Sequence, residues 1–182
     1  MIFFIIIILV LIILIYGFIV YNSLIKLDNK VNEAFATMDV YLKKRWDLVP
    51  NLVETVKGYS KHEKDTLEQI VKIRNSVYDN ISNDNKIKTN EALTSNIARI
   101  MLLAESYPEL KANEHFLELS KELTNVENEI AQARKYYNAV VRLFNNKVEM
   151  FPSNLIAVIT GYKPKLMFEA TSNERNNVKV EL

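Results

Sequence analysis

The chain has 182 residues, with 23 Lys and Arg against 22 Asp and Glu, and its net charge of +1 supplies no cationic footprint for nucleic acid. It has no cysteine, which excludes disulfides, thiolate metal sites, lipoprotein anchoring, palmitoylation and cysteine catalysis. Gly and Pro number only 3 and 4, and polar positions are mostly Glu, Lys, Asn and Ser, a composition that favours helices over a sheet with many turns.

The first element is Met1 to Tyr21, which contains no charged side chain. A helix of about 20 such residues is about 30 Å long, the hydrocarbon thickness of a bilayer. Each central Ile, Leu, Phe or Val favours insertion by about 0.3 to 0.6 kcal/mol, with no charge opposing. A cleaved secretory signal needs a basic start, a shorter apolar centre and a small-residue cleavage site; here no Lys or Arg precedes the run and Tyr21-Asn22-Ser23-Leu24 follows it. A retained span over residues 1–21 is therefore expected. Lys26, Lys30, Lys43, Lys44 and Arg45 all follow it, so the body is expected in the cytoplasm and the N-terminus outside. Tyr16 and Tyr21 would stand toward the inner interface.

The remaining roughly 160 residues suffice for one domain with its own core. Leu24, Leu27, Val31, Ala34, Met38 and Tyr41 recur at 3-4 spacing and form one helical stripe, with no Gly or Pro separating it from the span. One rod is thus expected from about Ile2 to Arg45. We read a break at Asp47-Leu-Val-Pro50, with Asp47 as N-cap and Pro50 in the first turn of a second helix; a kinked continuous helix is the competing reading. The second helix runs to about Ile81, with Leu52, Val56, Tyr59, Leu67, Ile70 and Val77 inward. Ser82 to Lys86 reads as a turn. A third helix starts near Thr89 as cap, turns Leu93, Ile97, Ile100 and Ala104 inward, and ends before Pro108. Ser106-Tyr-Pro-Glu109 fits a capping box for a short turn.

From Asn113 a fourth helix shows Phe116, Leu119, Leu123, Val126, Ile130, Ala133, Tyr137, Val140 and Phe144 in steps alternating strictly between 3 and 4, a knobs-into-holes seam. Pro152 stops it, Ser153 or Asn154 caps a final short helix, and Gly161 suits its C′ position. Residues 169–182 read as a polar, disordered tail. Short connections make consecutive helices antiparallel. The expected fold is thus all-α: a transmembrane helix (1–21) continuing into a long antiparallel four-helix bundle with a short C-terminal helix (22–168). The fourth helix would return toward the bilayer, which leaves two readings of Leu155 to Phe168: a cap on the open end of the core, or a segment lying at the inner membrane interface.

The inventory for catalysis is poor. His62-Glu63 begins like a zinc-protease motif, but four residues after His62 stands Thr66; the residues three before His62 and His115 are Tyr59 and Ala112, so no di-iron Glu-x-x-His exists. No Gly-rich phosphate loop or nucleophile elbow is present. No metal, cofactor, small-molecule substrate or nucleic acid is therefore expected, and no catalysis. Polar residues close to the seams are the unusual feature: Asp39, Arg45, Asp47, Asn51, Arg74, Glu105, Glu127, Arg134, Asn138 and Asn145. Charges on helices ordinarily face water. The sharper reading is that some form buried interhelical pairs that set register, or contact a partner.

Val31-x-x-Ala34-Phe35, Asp39 to Val53 including Arg45-Trp46-Asp47-Leu-Val-Pro50-Asn51, Val56-Lys57-Gly58-Tyr59 and His62-Glu63 resemble the signature of the LemA family. So do Glu105-Ser-Tyr107-Pro108-Glu-Leu110-Lys111-Ala112, Glu127-x-x-Ile130, Ala133-Arg134-x-x-Tyr137-Asn138, its weaker repeat Phe144-Asn145, and Phe151-Pro152-x-Asn154. The likeness runs from the span to about Phe168; Phe35, where an indole is more typical, and Trp46 within the basic run are small departures. It implies a bacterial inner-membrane protein with one span and a cytoplasmic helical bundle, and supplies no catalytic activity, substrate or cofactor. The functional expectation is a membrane-anchored scaffold that meets an unidentified protein partner or self-associates. The alternative is a self-assembling membrane-organising protein whose C-terminal apolar segment contacts lipid.

Overall fold

A computed structural model describes residues 1–59 and 82–168 of the chain. All regular structure among the described residues is helical: α1 (Ile2–Lys57), α2 (Asn83–Glu105), α3 (Pro108–Lys111), α4 (Glu114–Glu149) and α5 (Ser153–Thr160). The second helix beyond Tyr59, with Leu67, Ile70, Arg74 and Val77, and the tail from Glu169 lie outside the described residues.

The expected break at Asp47 to Pro50 is overturned, because Pro50 lies inside α1, a continuous helix of 56 residues. Proline in a helix interior removes one backbone donor and costs about 3 kcal/mol. Here Leu42, Trp46, Val49, Leu52, Val53 and Val56, on both sides of it, are all buried. Burying a Val or Leu side chain is worth about 1.5–3 kcal/mol, so the sum exceeds the local penalty. Asp47 caps nothing; it is exposed and pairs with Lys43 one turn earlier at 2.8 Å. The N-terminal stretch of α1 is long and apolar enough to cross a membrane, and Ile2 to Ile15 are exposed.

A second correction concerns α2. Residues 82–86 are its first turn rather than a loop, and Ser82, not Thr89, is the cap, its hydroxyl accepting from the Asn85 N–H at 3.4 Å. Early polar residues are tolerated there because first-turn N–H groups lack intrahelical partners. Leu93, Ile97, Ile100 and Ala104 are buried as the spacing predicts. The Ser106–Glu109 capping box does not form: Tyr107 is the N-cap of α3, without a side-chain bond, and Pro108 begins that helix. The Asn113 side chain accepts from the Phe116 N–H at 3.0 Å and so caps α4. Ser153 does not cap α5 either; its hydroxyl donates back to the Met150 carbonyl at 2.9 Å. Gly161 ends α5 at φ +78°, the left-handed value that favours glycine.

The described residues fall into two compact units, 1–37 with 133–167, and 38–59 and 82–132 with Phe168. In the first, Leu24, Val31, Ala34 and Phe35 of α1 and Tyr137, Val140, Val141, Phe144 and Val148 of α4 are buried. In the second, Met38 to Val56 of α1 contribute the buried side chains already named, with Ile87 and the α2 stripe, Leu110 of α3, and Phe116, Leu123, Val126 and Ile130 of α4.

Candidate functional site

In the second unit three helices meet at Arg45. The α1 stripe that contains Met38 continues to Arg45, Val49, Leu52 and Val56, so the helical period alone turns this guanidinium inward, and it is 0% exposed. Its Nη1 donates to Thr94 Oγ1 of α2 at 2.7 Å and forms an ion pair with Glu127 of α4, while Nη2 donates to the Asn90 carbonyl at 2.9 Å. Thr94 Oγ1 in turn donates to that carbonyl at 3.2 Å. The Glu127 side chain is 31% exposed, so the pair joins a dry cation to a half-wet anion. One turn before Asn90, Lys86 Nζ donates to Asp39 of α1 at 2.9 Å, with both side chains largely covered.

Lys86, Asn90 and Thr94 stand at i, i+4 and i+8 and make one polar row on α2 that receives two α1 charges. A guanidinium offers neither a lone pair for a metal nor a labile proton near neutral pH. What the arrangement can do is fix the register of three helices, since sliding α2 by one turn would take Thr94 and the Asn90 carbonyl away from a buried guanidinium. Among the described residues, no group of three His, Asp or Glu side chains is placed to hold a metal ion.

The other residues singled out from the sequence have surroundings of their own. Asp47 and Glu105 are exposed, and Arg74 is outside the described residues. Asn51 is exposed and lines an open cleft of about 500 Å³ with Thr55, Tyr59, Asn113, His115 and Glu122. There Asn113 donates to the Tyr59 hydroxyl at 2.9 Å, and Glu122 pairs with Lys44 at 3.0 Å. Arg134 and Asn138 are half-buried and belong to the first unit.

The first unit contains a second polar assembly, built around Lys165. Asn145 of α4 grips the backbone of this residue on both sides: its Nδ2 donates to the Lys165 carbonyl and its Oδ1 accepts from the Lys165 N–H, each at 2.9 Å. The Lys165 ammonium pairs with Asp28 of α1 at 2.5 Å, donates to Asn32 at 3.2 Å and lies 5.3 Å from the Phe144 ring centre. Tyr137 donates to the Leu166 carbonyl at 3.1 Å while its ring meets Phe35 edge-on. Residues 162–167, which have no regular structure, are thereby tied down across α1 and α4.

Desolvation first, then the negative charge of Asp28 and the neighbouring Tyr21, hold the Tyr162 phenol above its ordinary value of 10.0. A raised value favours the neutral phenol in the folded state, so its contribution is whole below the unfolded value and is lost as pH rises through the folded one. Tyr162→Phe is therefore expected to flatten the alkaline decline in thermal midpoint beyond pH 10, read by circular dichroism; an unchanged decline would show that Tyr162 does not contribute to it.

A model of the LemA family matches residues 34–182. Protein LemA of Metamycoplasma hominis is 26% identical over 158 residues, covering 86% of this chain and 72% of that one. Two magnetosome proteins of Paramagnetospirillum magneticum, MamQ 1 and MamQ 2, are each 30% identical over 73 residues, which is 40% of this chain and 27% of theirs.

Proposed function

Because the chain belongs to the LemA family, we propose that it is a membrane-anchored scaffold or interaction protein that works without catalysis. Residues 1–21 cross a bacterial inner membrane with the N-terminus outside, and the body, a long antiparallel helical bundle, stands in the cytoplasm. The observation behind this reading is the continuity of α1. Residues 22–57 extend the apolar stretch by 36 residues, about 54 Å of helix, without a joint. The buried Arg45 assembly supplies the fixed register that a rigid presenting surface needs. Val40, Leu102, Leu117, Tyr136 and Leu143 are large apolar side chains exposed along the body and are candidate contacts for a protein partner or further copies.

A photocrosslinker at Val40, Leu102 or Leu143 in the full chain, used in cells, tests this. One dominant foreign protein, lost on replacing the same side chain by Glu, supports an adaptor. Self-crosslinks alone move the reading to a self-assembling membrane organiser, whose lipid contact the exposed Leu155, Val158 and Ile159 favour. Diffuse crosslinks without a dominant product at any site would overturn both.

A further inference from the structure

We propose that α5, with the turn that precedes it, is a lipid-inserted element whose outer face lies in the leaflet that the span leaves at Tyr21. The inference rests on the reading of residues 1–21 as membrane-spanning.

A surface helix ordinarily keeps its apolar stripe inward and its polar residues out. In α5 the small residues Ser153 and Ala157 are buried and Ile156 is half-buried, while Leu155, Val158 (78% exposed) and Ile159 (80%) face away from the protein, and Met150 and Phe151 (78%) are exposed in the turn before it. Within the helix, positions 155, 158 and 159 form one face at helical spacing. Its location identifies what covers it. Ile156 Cδ1 stands 3.6 Å from where a Cβ on Gly17 would be, and Gly17 lies inside the uncharged run, four residues or about 6 Å of helix before Tyr21. Val20, also within that run, is only 2% exposed, whereas Ile2 to Ile15 are open. The protein therefore covers one side of the last turn of the span, at Gly17 and Val20, and the opposite face of the covering helix stands at the edge of the hydrocarbon. An apolar helix face of this kind is stabilised by burial at the headgroup–acyl boundary. Exposed Lys26 and Lys30 follow the span, and exposed Lys163 follows α5, matching anionic headgroups.

The absence of native cysteine permits a direct test with the full chain in vesicles of phosphatidylcholine and phosphatidylglycerol. An environment-sensitive fluorophore is placed singly through Ile159→Cys, through Ile8→Cys in the span, and through Lys135→Cys on exposed α4. The Ile159 label is expected to lose emission to lipids brominated near the carbonyl end of the acyl chain and to be shielded from aqueous iodide, while the Lys135 label shows the reverse. Iodide quenching at Ile159 with bromolipid quenching kept at Ile8 overturns the inference and leaves the anchor intact. Shielding at Ile159 from both quenchers means that protein covers the face and also overturns it. A label at Ile8 unquenched by any bromolipid removes the anchor reading and this inference with it.

Discussion

Arg45→Met is expected to lower the unfolding free energy by about 3 kcal/mol, at the lower end of the range for breaking a buried ion pair. The size follows from what is left behind. Met fills most of the volume of the arginine stem, so little cavity forms. The Asn90 carbonyl and Thr94 lose their buried donor, and Glu127 loses its partner, but the partial exposure of Glu127 lets water take up some of that charge. The reverse variant should cost more. Glu127→Leu strands a guanidinium that is 0% exposed and cannot be deprotonated, so about 4–5 kcal/mol is expected. The double variant, with neither charge, should recover much of both losses. Urea unfolding of the full chain in detergent, followed by circular dichroism, measures all three; a double variant as unstable as the sum of the singles would show that the pair stabilises by packing rather than by charge.

How much of this is legible in the sequence depends on the range of the interaction. The strict 3-4 alternation of α4 survives because every step is set by its own helix, and Phe116, Leu123, Ile130, Tyr137 and Phe144 are all buried. Pro50 misleads for the opposite reason: a proline is a strong local signal, and the burial that outweighs it comes from other helices. The signal against a break is nevertheless present, since Met38, Arg45, Leu52 and Val56 keep one stripe through the proline. The same spacing places Arg45 on the seam and marks it as a buried charge in search of a partner. Its partners on α2 are harder to find. Extending the stripe of Ala104, Ile100, Ile97 and Leu93 backward by 3 and then 4 residues reaches Asn90 and Lys86, which with Thr94 meet α1. Treating Ser82 to Lys86 as a turn ends that stripe too early, because Asn and Asp are as welcome in a first helical turn as in a loop. The assembly at Lys165 leaves no periodic trace at all. Asn145 holds its backbone, and backbone groups are the same at every residue.

Phe144→Ala separates the two forces that hold residues 162–167. Phe144 is 0% exposed, its ring meets Tyr162 edge-on at 5.8 Å and 77°, and the Lys165 ammonium rests over its face. Truncating a buried phenylalanine costs about 3–5 kcal/mol through lost transfer energy and the cavity left behind. Here the loss has a local share, because the aromatic pair is worth about 0.5–1.5 kcal/mol and the cation contact about 0.5–1 kcal/mol, and both act on the irregular segment alone. Amide exchange at residues 162–167 should therefore accelerate more than exchange in the α1 and α4 helices of the same unit. Phe144→Leu keeps much of the volume but neither ring interaction, so it should destabilise the whole chain less while loosening the segment nearly as much. Asn145→Ala is the complement: it removes the two backbone clamps and leaves the rings in place. If segment protection survives Phe144→Ala and disappears with Asn145→Ala, hydrogen bonds hold the segment and the ring is core alone. Loss of protection in both means that the segment is held jointly, since a backbone clamp at one residue fixes a strap only where its neighbours have a surface to lie on.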